Sequence, residues 1–255
     1  PVAGNDLRIS LDMEIQQYAE QLAYQTLEKK NAKKVSIIVM NPQNGEIYAM
    51  VNVPEFDLND PFTPDQNLRS ESLRNQAAER DKTVKQQELL NAMWRNTCIN
   101  DTYEPGSTFK ILSAFLPALD KNHMTLATVY EDAPYNYIDT NRPVRNYYKG
   151  YKGYSTIREA ITNSMNVVSA KTIADVTPKT SFEYLMNLGF STLVSNETTS
   201  NGNVYTDITQ SLSLGGLTYG VTNMELTSAY ASIANGGTYQ KPVLYTKVVD
   251  HNGNI

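Results

Sequence analysis

The sequence predicts an α+β fold in which helices pack against a sheet that begins with a hairpin. Residues 11 to 32 repeat apolar side chains at helical spacing, which indicates an amphipathic helix. Residues 35–40 and 46–51 are β-rich runs on either side of the turn-forming segment 41–45, which indicates a β-hairpin. Because no strand–helix–strand repeat follows, the pattern favours α+β over βαβ repetition.

The composition of the 255 residues excludes several classes of function. Hydrophobic residues are 40% and charged residues 19%, a balance typical of a globular protein. The net charge of −5 argues against a general nucleic-acid binder, and no apolar run approaches the roughly 20 residues needed to span a bilayer. With Cys98 as the only cysteine, an intramolecular disulfide and a multi-cysteine zinc site are excluded. Two histidines, His123 and His251, leave little room for metal chemistry.

The first helix is predicted from five apolar side chains, with the Ser10 hydroxyl as a possible cap at its start. Those side chains are Leu11, Ile15, Tyr18, Leu22 and Leu27. The strand over 35–40 is almost continuously apolar, which favours a central position in the sheet. The hairpin is therefore expected to lie under a helix.

Residues 54–104 are predicted to form a polar surface excursion that leads into the next buried helix. Thr63 and Pro64 provide a capping hydroxyl and a first-turn proline for a possible helix. The segment 69–85 has few apolar residues, so any helix there is expected to be solvated.

After Pro105 and Gly106, residues 108–116 predict an apolar helix that Pro117 either ends or kinks. Residues 120–153 are rich in tyrosine and are expected to be irregular. Further helices are predicted over 155–163, 166–174, 181–188 and 224–234, and a returning strand over 243–250.

Tyrosines gather in the irregular segment, and two interpretations of them remain open. They could line a substrate groove, although such a set more often covers core under irregular chain. The set is Tyr130, Tyr135, Tyr137, Tyr147, Tyr148, Tyr151 and Tyr154.

Ser107 and Lys110 form a Ser-x-x-Lys pair at the start of the apolar helix. Residues three apart share a helix face, so the lysine amine can lie within hydrogen-bond reach of the serine hydroxyl. A serine needs a base to become a nucleophile, and a lysine serves as that base only when its pKa is lowered, as burial would do. Backbone amides at the same helix start could stabilise an oxyanion.

The bare motif carries little weight. With 17 Ser and 14 Lys in the chain, chance produces about one Ser-x-x-Lys. Chance likewise produces about one or two Ser-x-Asn strings, and the chain has one, Ser164-Met-Asn166. Specificity must come from the surrounding sequence.

The segment Asp101–Lys110 closely resembles the active-serine signature of penicillin-binding proteins, the transpeptidases that cross-link bacterial peptidoglycan. Ser164-Met-Asn166 resembles the second motif of that family. Residues 41–50, 154–168, 214–216 and 229–237 are also similar to it. Residues 1 to about 112 resemble the monofunctional branch and those from about 117 the bifunctional branch. The branch therefore stays open, and the chain could be an unusual lineage or a composite of the two.

One family motif, Lys-Thr-Gly, does not occur in the sequence. The nearest string, Lys179-Thr-Ser181, lacks the glycine and precedes the late matches, so it is interpreted as coincidence. In the family this motif follows a strand that resembles 248–253. The resemblance therefore implies a transpeptidase domain over 1–255 that is truncated before the third motif, and a chain that is inactive by itself.

The resemblance implies the penicilloyl-serine transferase fold, a sheet with helices on both sides. It implies an acyl-enzyme on Ser107, with Lys110 as the base, Ser164 as a proton relay and Asn166 as the residue that holds Lys110 and the substrate amide. Ser164 and Asn166 would also be the substrate-binding residues. The implied partners are D-Ala-D-Ala stem peptides, β-lactams and other wall-synthesis or division proteins, with no nucleic acid, metal or cofactor. The implied location is the extracytoplasmic face of the bacterial membrane.

Two other classes of function remain open. A D,D-carboxypeptidase or a β-lactamase relative would deacylate with water, although the sequence contains no unambiguous deacylating glutamate. A non-catalytic β-lactam sensor or a scaffold for wall synthesis would keep the fold without turnover.

Overall fold

The computed structural model describes residues 4–63 and 86–254. They form two compact units. The first contains the residues before Thr102 and those from Thr222 onward, and the second contains Thr102–Val221. Both units mix helices and strands, and the α+β prediction is confirmed.

The first unit contains the predicted helix and hairpin. Its elements are β1 (Asp6–Ile9), α1 (Met13–Lys30), β2 (Val35–Met40), β3 (Ile47–Val53), α2 (Gln86–Trp94), α3 (Thr97–Asn100), α8 (Asn223–Ala234) and β12 (Tyr245–Val249).

Helix α1 begins two residues later than a Ser10 cap would place it. The Asp12 carboxylate caps the helix by accepting hydrogen bonds from the amides of Glu14 and Ile15, both at 3.0 Å. The Ser10 hydroxyl instead donates to the carbonyl of Ile47 at 2.8 Å. The predicted Ser10 cap is therefore wrong, because a closer carboxylate satisfies the free amides of the first turn.

Strands β2 and β3 pair antiparallel, as predicted for a hairpin. Helix α1 packs on one side of this pair, and α3 and α8 contact it as well. Tyr18 stays exposed, whereas four other side chains of α1 enter the core. That core consists of Ala19, Ala23, Tyr24, Leu27, Ala49, Val51 and Val53.

The turn between β2 and β3 lies against the segment that precedes β12. Gly45 has a φ of +81°, and a Cβ atom there would approach the carbonyl oxygen of Lys241 to 2.2 Å. Only glycine fits this combination of left-handed backbone and close approach. The predicted returning strand is present as β12, which pairs antiparallel with β1.

Part of the predicted surface excursion, residues 64–85, lies outside the described residues, and so does most of the possible helix that starts at Thr63. The described remainder includes α2 and α3, which bury Leu89, Leu90 and Cys98. Burial raises the pKa of the Cys98 thiol to about 11, so this cysteine behaves as a small apolar side chain.

The second unit begins at Thr102 and contains the chain around Ser107. It holds β4 (Thr102–Tyr103), a 3₁₀ turn (Gly106–Phe109), a π-helical turn (Ile111–Phe115), α4 (Leu116–Lys121), β5 (Val129–Asp132), β6 (Tyr135–Asn136), β7 (Pro143–Val144), β8 (Gly153–Thr156), α5 (Ile157–Thr162), α6 (Asn166–Val176), α7 (Pro178–Asn187), β9 (Glu197–Thr198), β10 (Val204–Tyr205), a second 3₁₀ turn (Gln210–Leu214) and the first residue of β11 (Val221–Thr222).

The segment predicted to be irregular contains short strand pairings. β5 pairs with β8, and β6 with β7, both antiparallel. Its tyrosines divide between two environments. Tyr130, Tyr135, Tyr137 and Tyr148 are half-buried against the core, whereas Tyr147, Tyr151 and Tyr154 are exposed.

Candidate active site

The helix that carries Ser107 is built from three kinds of turn. A 3₁₀ turn from Gly106 leads through Lys110 into the π-helical turn and then into α4. Pro117 lies in the first turn of α4, so the helix continues past it to Lys121. The wider π-helical turn precedes the proline, which lacks an amide hydrogen for an ordinary helical bond.

The two residues of the Ser-x-x-Lys pair differ in their exposure to solvent. Ser107 is exposed at the first turn, whereas Phe109 is fully buried and meets the Phe190 ring edge-on at 5.2 Å. Lys110 is only 2% exposed. The buried side chains anchor the helix, and the nucleophile candidate is left accessible.

The Lys110 amine contacts three uncharged acceptors. It donates to the carbonyl oxygen of Ser164 at 2.7 Å, to the Ser164 hydroxyl at 2.9 Å and to the Asn166 side-chain oxygen at 2.5 Å. Burial lowers the pKa of Lys110 from 10.5 to about 8. A lysine in this state supplies a useful fraction of neutral amine near neutral pH, which a general base requires.

Ser164 reaches Lys110 through an unusual backbone conformation. It lies in the turn between α5 and α6 with a φ of +48°, a region that non-glycine residues seldom occupy. The turn is closed by the Met165 amide, which donates to the Ala160 carbonyl at 2.9 Å. This conformation directs both oxygens of Ser164 to the same amine.

Asn166 begins helix α6, and its amide group is held at both ends. Its side-chain oxygen accepts from Lys110, and its side-chain nitrogen donates to the carbonyl oxygen of Arg145 at 2.7 Å. Since the nitrogen end is occupied, the oxygen end faces the lysine. The buried side chains of Val167 and Val168 fix the start of the helix.

Two glycines lie against the backbone that leads to Ser107. Gly215 has a φ of +75°, and a Cβ there would approach the oxygen and nitrogen of Gly106 to 2.5 and 2.6 Å. Gly220 has a φ of +86°, and its Cβ would approach the carbonyl oxygen of Tyr103 to 2.3 Å. Backbone at this distance leaves no space for a side chain.

The structure therefore brings together Lys110, Ser164 and Asn166, with Ser107 one helical turn away from Lys110 along the chain. In residues 4–63 and 86–254 no hydrogen bond joins the side chains of Ser107 and Lys110, although their spacing permits one; the Lys110 amine binds Ser164 and Asn166 instead. Lys179-Thr-Ser181 lies in helix α7, whereas the third family motif is expected on a strand. This placement agrees with the interpretation of the string as a coincidence.

Sequence reasoning missed Asp132 and Asn146, whose side chains form a hydrogen-bonded pair behind Asn166. No local pattern marks them, because polar residues are common throughout that segment. Gly215 belongs to a segment noted for its family resemblance, but its contact with Gly106 could not be deduced from spacing.

Comparison with known proteins adds evidence of a different kind. The family model described as the penicillin-binding protein transpeptidase domain matches residues 35–254. The chain belongs to this family. Penicillin-binding protein 1A of Streptococcus pneumoniae is 32% identical over 167 residues, which are 62% of this chain and 21% of that protein. A peptidoglycan D,D-transpeptidase FtsI homolog of Mesostigma viride is 23% identical over 96% of this chain and 39% of its own length.

Solved structures of penicillin-binding proteins share the fold. Penicillin-binding protein A of Mycobacterium tuberculosis, in an imipenem acyl-enzyme complex, superposes with a TM-score of 0.69 at 19% identity. That match covers 98% of this chain and 57% of the other. The D,D-transpeptidase domain of an Eggerthella lenta peptidoglycan glycosyltransferase also has a TM-score of 0.69, at 22% identity over 99% of this chain and 60% of its own.

The chain spans about a fifth of the length of the first curated relatives that it matches. In the part of the chain that the structure describes, no helix combines the length and the apolar character that crossing a membrane requires.

Proposed function

We propose that this chain carries the acyl-transfer site of a peptidoglycan D,D-transpeptidase and that Ser107 is its nucleophile. The observation that carries the proposal is the buried amine of Lys110, held by Ser164 and Asn166 one turn from an exposed serine. Burying an amine is unfavourable, so its presence beside a nucleophile candidate supports a role in proton transfer.

In the proposed reaction, the Ser107 hydroxyl oxygen bonds to the carbonyl carbon of the penultimate D-Ala. The neutral Lys110 amine takes the hydroxyl proton. The peptide bond to the terminal D-Ala then breaks, and Ser164 relays a proton to the leaving nitrogen. An amine of a neighbouring strand next bonds to the acyl carbon and forms the cross-link. The ester bond to Ser107 breaks, and the proton that the amine loses returns to the Ser107 oxygen. Asn166 holds Lys110 and binds the substrate amide.

The proposal extends to partners and place of action. The substrates are stem peptides that end in D-Ala-D-Ala, and β-lactams are inhibitors that acylate Ser107. Other wall-synthesis or division proteins are further partners, and the site works at the extracytoplasmic face of the bacterial membrane. Support comes from the penicillin-binding proteins among the relatives and from the acyl-enzyme described for one structural neighbour.

We also propose that residues 1–255 belong to one transpeptidase domain and that 54–104 is a surface excursion from it. The sequence contains no Lys-Thr-Gly, which the family resemblance associates with substrate-carboxylate binding. We therefore expect little or no acylation of the 255-residue chain by itself.

Fluorescent penicillin labelling of the natural protein at full length tests the nucleophile. We expect covalent label on the peptide that contains Ser107, and loss of that label in Ser107→Ala. Ser200→Ala, which changes an exposed serine in a turn, is the matched control and should label like the wild type. Label that persists in Ser107→Ala would refute the assignment.

Product analysis separates transpeptidation from its alternatives. Incubation with uncross-linked peptidoglycan should release D-Ala and yield cross-linked dimers. Free D-Ala with only shortened monomers would indicate a D,D-carboxypeptidase. Label without any product would indicate a β-lactam sensor, and rapid hydrolysis of the penicillin a β-lactamase relative.

A further inference from the structure

Asp132 is a buried carboxylate with three hydrogen-bond donors and no cation in contact with it in the described part of the chain. It is 1% exposed and accepts from the Asn146 side chain at 2.8 Å, the Tyr148 hydroxyl at 2.6 Å and the Lys152 amide at 2.8 Å. A buried carboxylate is costly unless it is fully hydrogen-bonded, so its three donors are held in place strongly.

Asn146 connects this carboxylate to the start of helix α6. Its side-chain oxygen accepts from the amides of Asn166 at 2.9 Å and Val167 at 3.3 Å. Met165, at the N-cap position, provides no side-chain hydrogen bond. Asn146 therefore satisfies free amides at the helix start that a capping residue would otherwise bind.

The direction of the Asn146 amide follows from its partners. Asp132 only accepts, so the Asn146 nitrogen must face it and the oxygen must face the helix amides. The same helix start presents the Asn166 side chain to Lys110. A continuous path of hydrogen bonds thus runs from Asp132 through Asn146 and Asn166 to the Lys110 amine.

We propose that Asn146 and Asp132 are positioning residues of the acyl-transfer site, which set the start of α6 and thereby hold Asn166 against Lys110. The inference rests on the proposed function for its catalytic consequence. Its structural part, the link from Asn146 to Lys110, stands on the hydrogen bonds alone.

The single variants Asn146→Ala and Asp132→Asn each break this path. Alanine leaves the amides of Asn166 and Val167 without an acceptor. An asparagine at position 132 has an NH₂ group in place of one carboxylate oxygen, so this donor faces at least one of the groups that donate to Asp132 in the wild type. Alternatively, Asn146 turns around to accept from the new NH₂ group, and the Asn146 nitrogen then faces the helix amides. We expect the rate constant for penicillin acylation to fall at least about tenfold in both, with less change in the affinity of the first complex.

The double variant Asp132→Asn/Asn146→Asp exchanges the two groups and keeps every hydrogen bond. The bond between the two positions reverses its direction, because the new amide nitrogen at position 132 donates to the new carboxylate at position 146. The amide oxygen at position 132 still accepts from Tyr148 and Lys152, and the second carboxylate oxygen accepts from the helix amides.

We expect this double variant to have wild-type thermal stability and an acylation rate within about threefold of wild type at high pH. Because the negative charge now binds the residue that holds Lys110, the Lys110 titration midpoint should rise by about one pH unit.

Lysine NMR with ¹³C and ¹⁵N labels measures that midpoint in the 255-residue chain, with the Lys110 signal assigned from Lys110→Arg. The matched control is Asn136→Asp, which adds a carboxylate at an exposed position of the same segment. In the wild type, the Asn136 side chain donates a hydrogen bond to Asn141 within its own hairpin. The control should leave the Lys110 midpoint unchanged.

Two results would overturn the inference. One is an unchanged Lys110 midpoint in the double variant. The other is a double variant that recovers stability but not the acylation rate, since the network would then serve folding alone. If the wild-type protein at full length is not acylated at all, the proposed function fails, and the NMR titration still decides the link to Lys110.

Discussion

Replacing Lys110 with methionine tests the buried amine without any assay of activity. Burial lowers the pKa of Lys110 from 10.5 in the unfolded chain to about 8 in the fold. At pH 7 the amine is protonated in both states, and the fold carries a cost of about 3 kcal/mol for burying the charge. Between pH 8 and 10.5 the unfolded chain binds more protons than the folded chain, so stability rises with pH.

The expected magnitude follows from these two pKa values. The free energy of unfolding of wild type, relative to that of Lys110→Met, should rise by about 2.5 kcal/mol between about pH 7 and pH 10. The difference in the free energy of unfolding at pH 7 alone is less informative. Methionine removes a buried charge, but it also leaves the acceptors on Ser164 and Asn166 without a donor. The slope with pH isolates the titration of the amine.

Urea unfolding at several pH values measures this difference, and tyrosine titration cancels between the two proteins. Lys149→Met, at an exposed lysine of the same unit, is the control, and its difference from wild type should stay flat. A difference for Lys110→Met that changes by less than about 0.5 kcal/mol, or that falls with pH, would refute the assignment of a lowered pKa to Lys110.

Two further predictions concern the backbone around the site. Gly215→Ala should lower the free energy of unfolding by about 2 kcal/mol or more, because Gly215 has a left-handed φ and a Cβ there would overlap the backbone of Gly106. In the control Gly216→Ala, the atom nearest to the new Cβ would lie at 3.4 Å, so the free energy of unfolding should change by less than about 1 kcal/mol. Equal effects of the two variants in urea unfolding would contradict this prediction. Thr156→Ala removes the hydroxyl that caps α5 and should cost about 1 kcal/mol, while Thr162→Ala, at the exposed end of the same helix, should be nearly neutral; thermal unfolding measures both.

The elements whose signal is local were predictable from the sequence. The hairpin of β2 and β3 follows from alternating and apolar runs around a turn, and helix α8 from its periodicity and the glycines after it. The start of α1 was misplaced because Ser10 and Asp12 are both good caps. Which of them bonds to the helix depends on the Ile47 carbonyl, 37 residues away, which takes the serine hydroxyl.

The candidate site was predictable only in part, for a physical reason. Residue type and spacing pointed to Ser107, Lys110, Ser164 and Asn166 once the family resemblance was seen. Type and spacing alone could not reveal that the amine of Lys110 turns to a segment 54 residues later, because that choice depends on burial and on the left-handed backbone of Ser164. Only the family resemblance implied that Asn166 holds Lys110. Asn146 was invisible for the same reason, since its role depends entirely on contacts distant in sequence.

The cost of burying Lys110 distinguishes this Ser-x-x-Lys from a chance string. A lysine that served only stability would extend its amine to water, where its charge is solvated at no cost. Here the amine is enclosed against three uncharged acceptors, and the fold is less stable by about 3 kcal/mol at pH 7 than it would be with an unshifted pKa. Two motifs that chance would each produce about once are joined by this amine. This arrangement supports the proposal that Lys110 transfers protons, because residues with shifted pKa values are concentrated at functional sites.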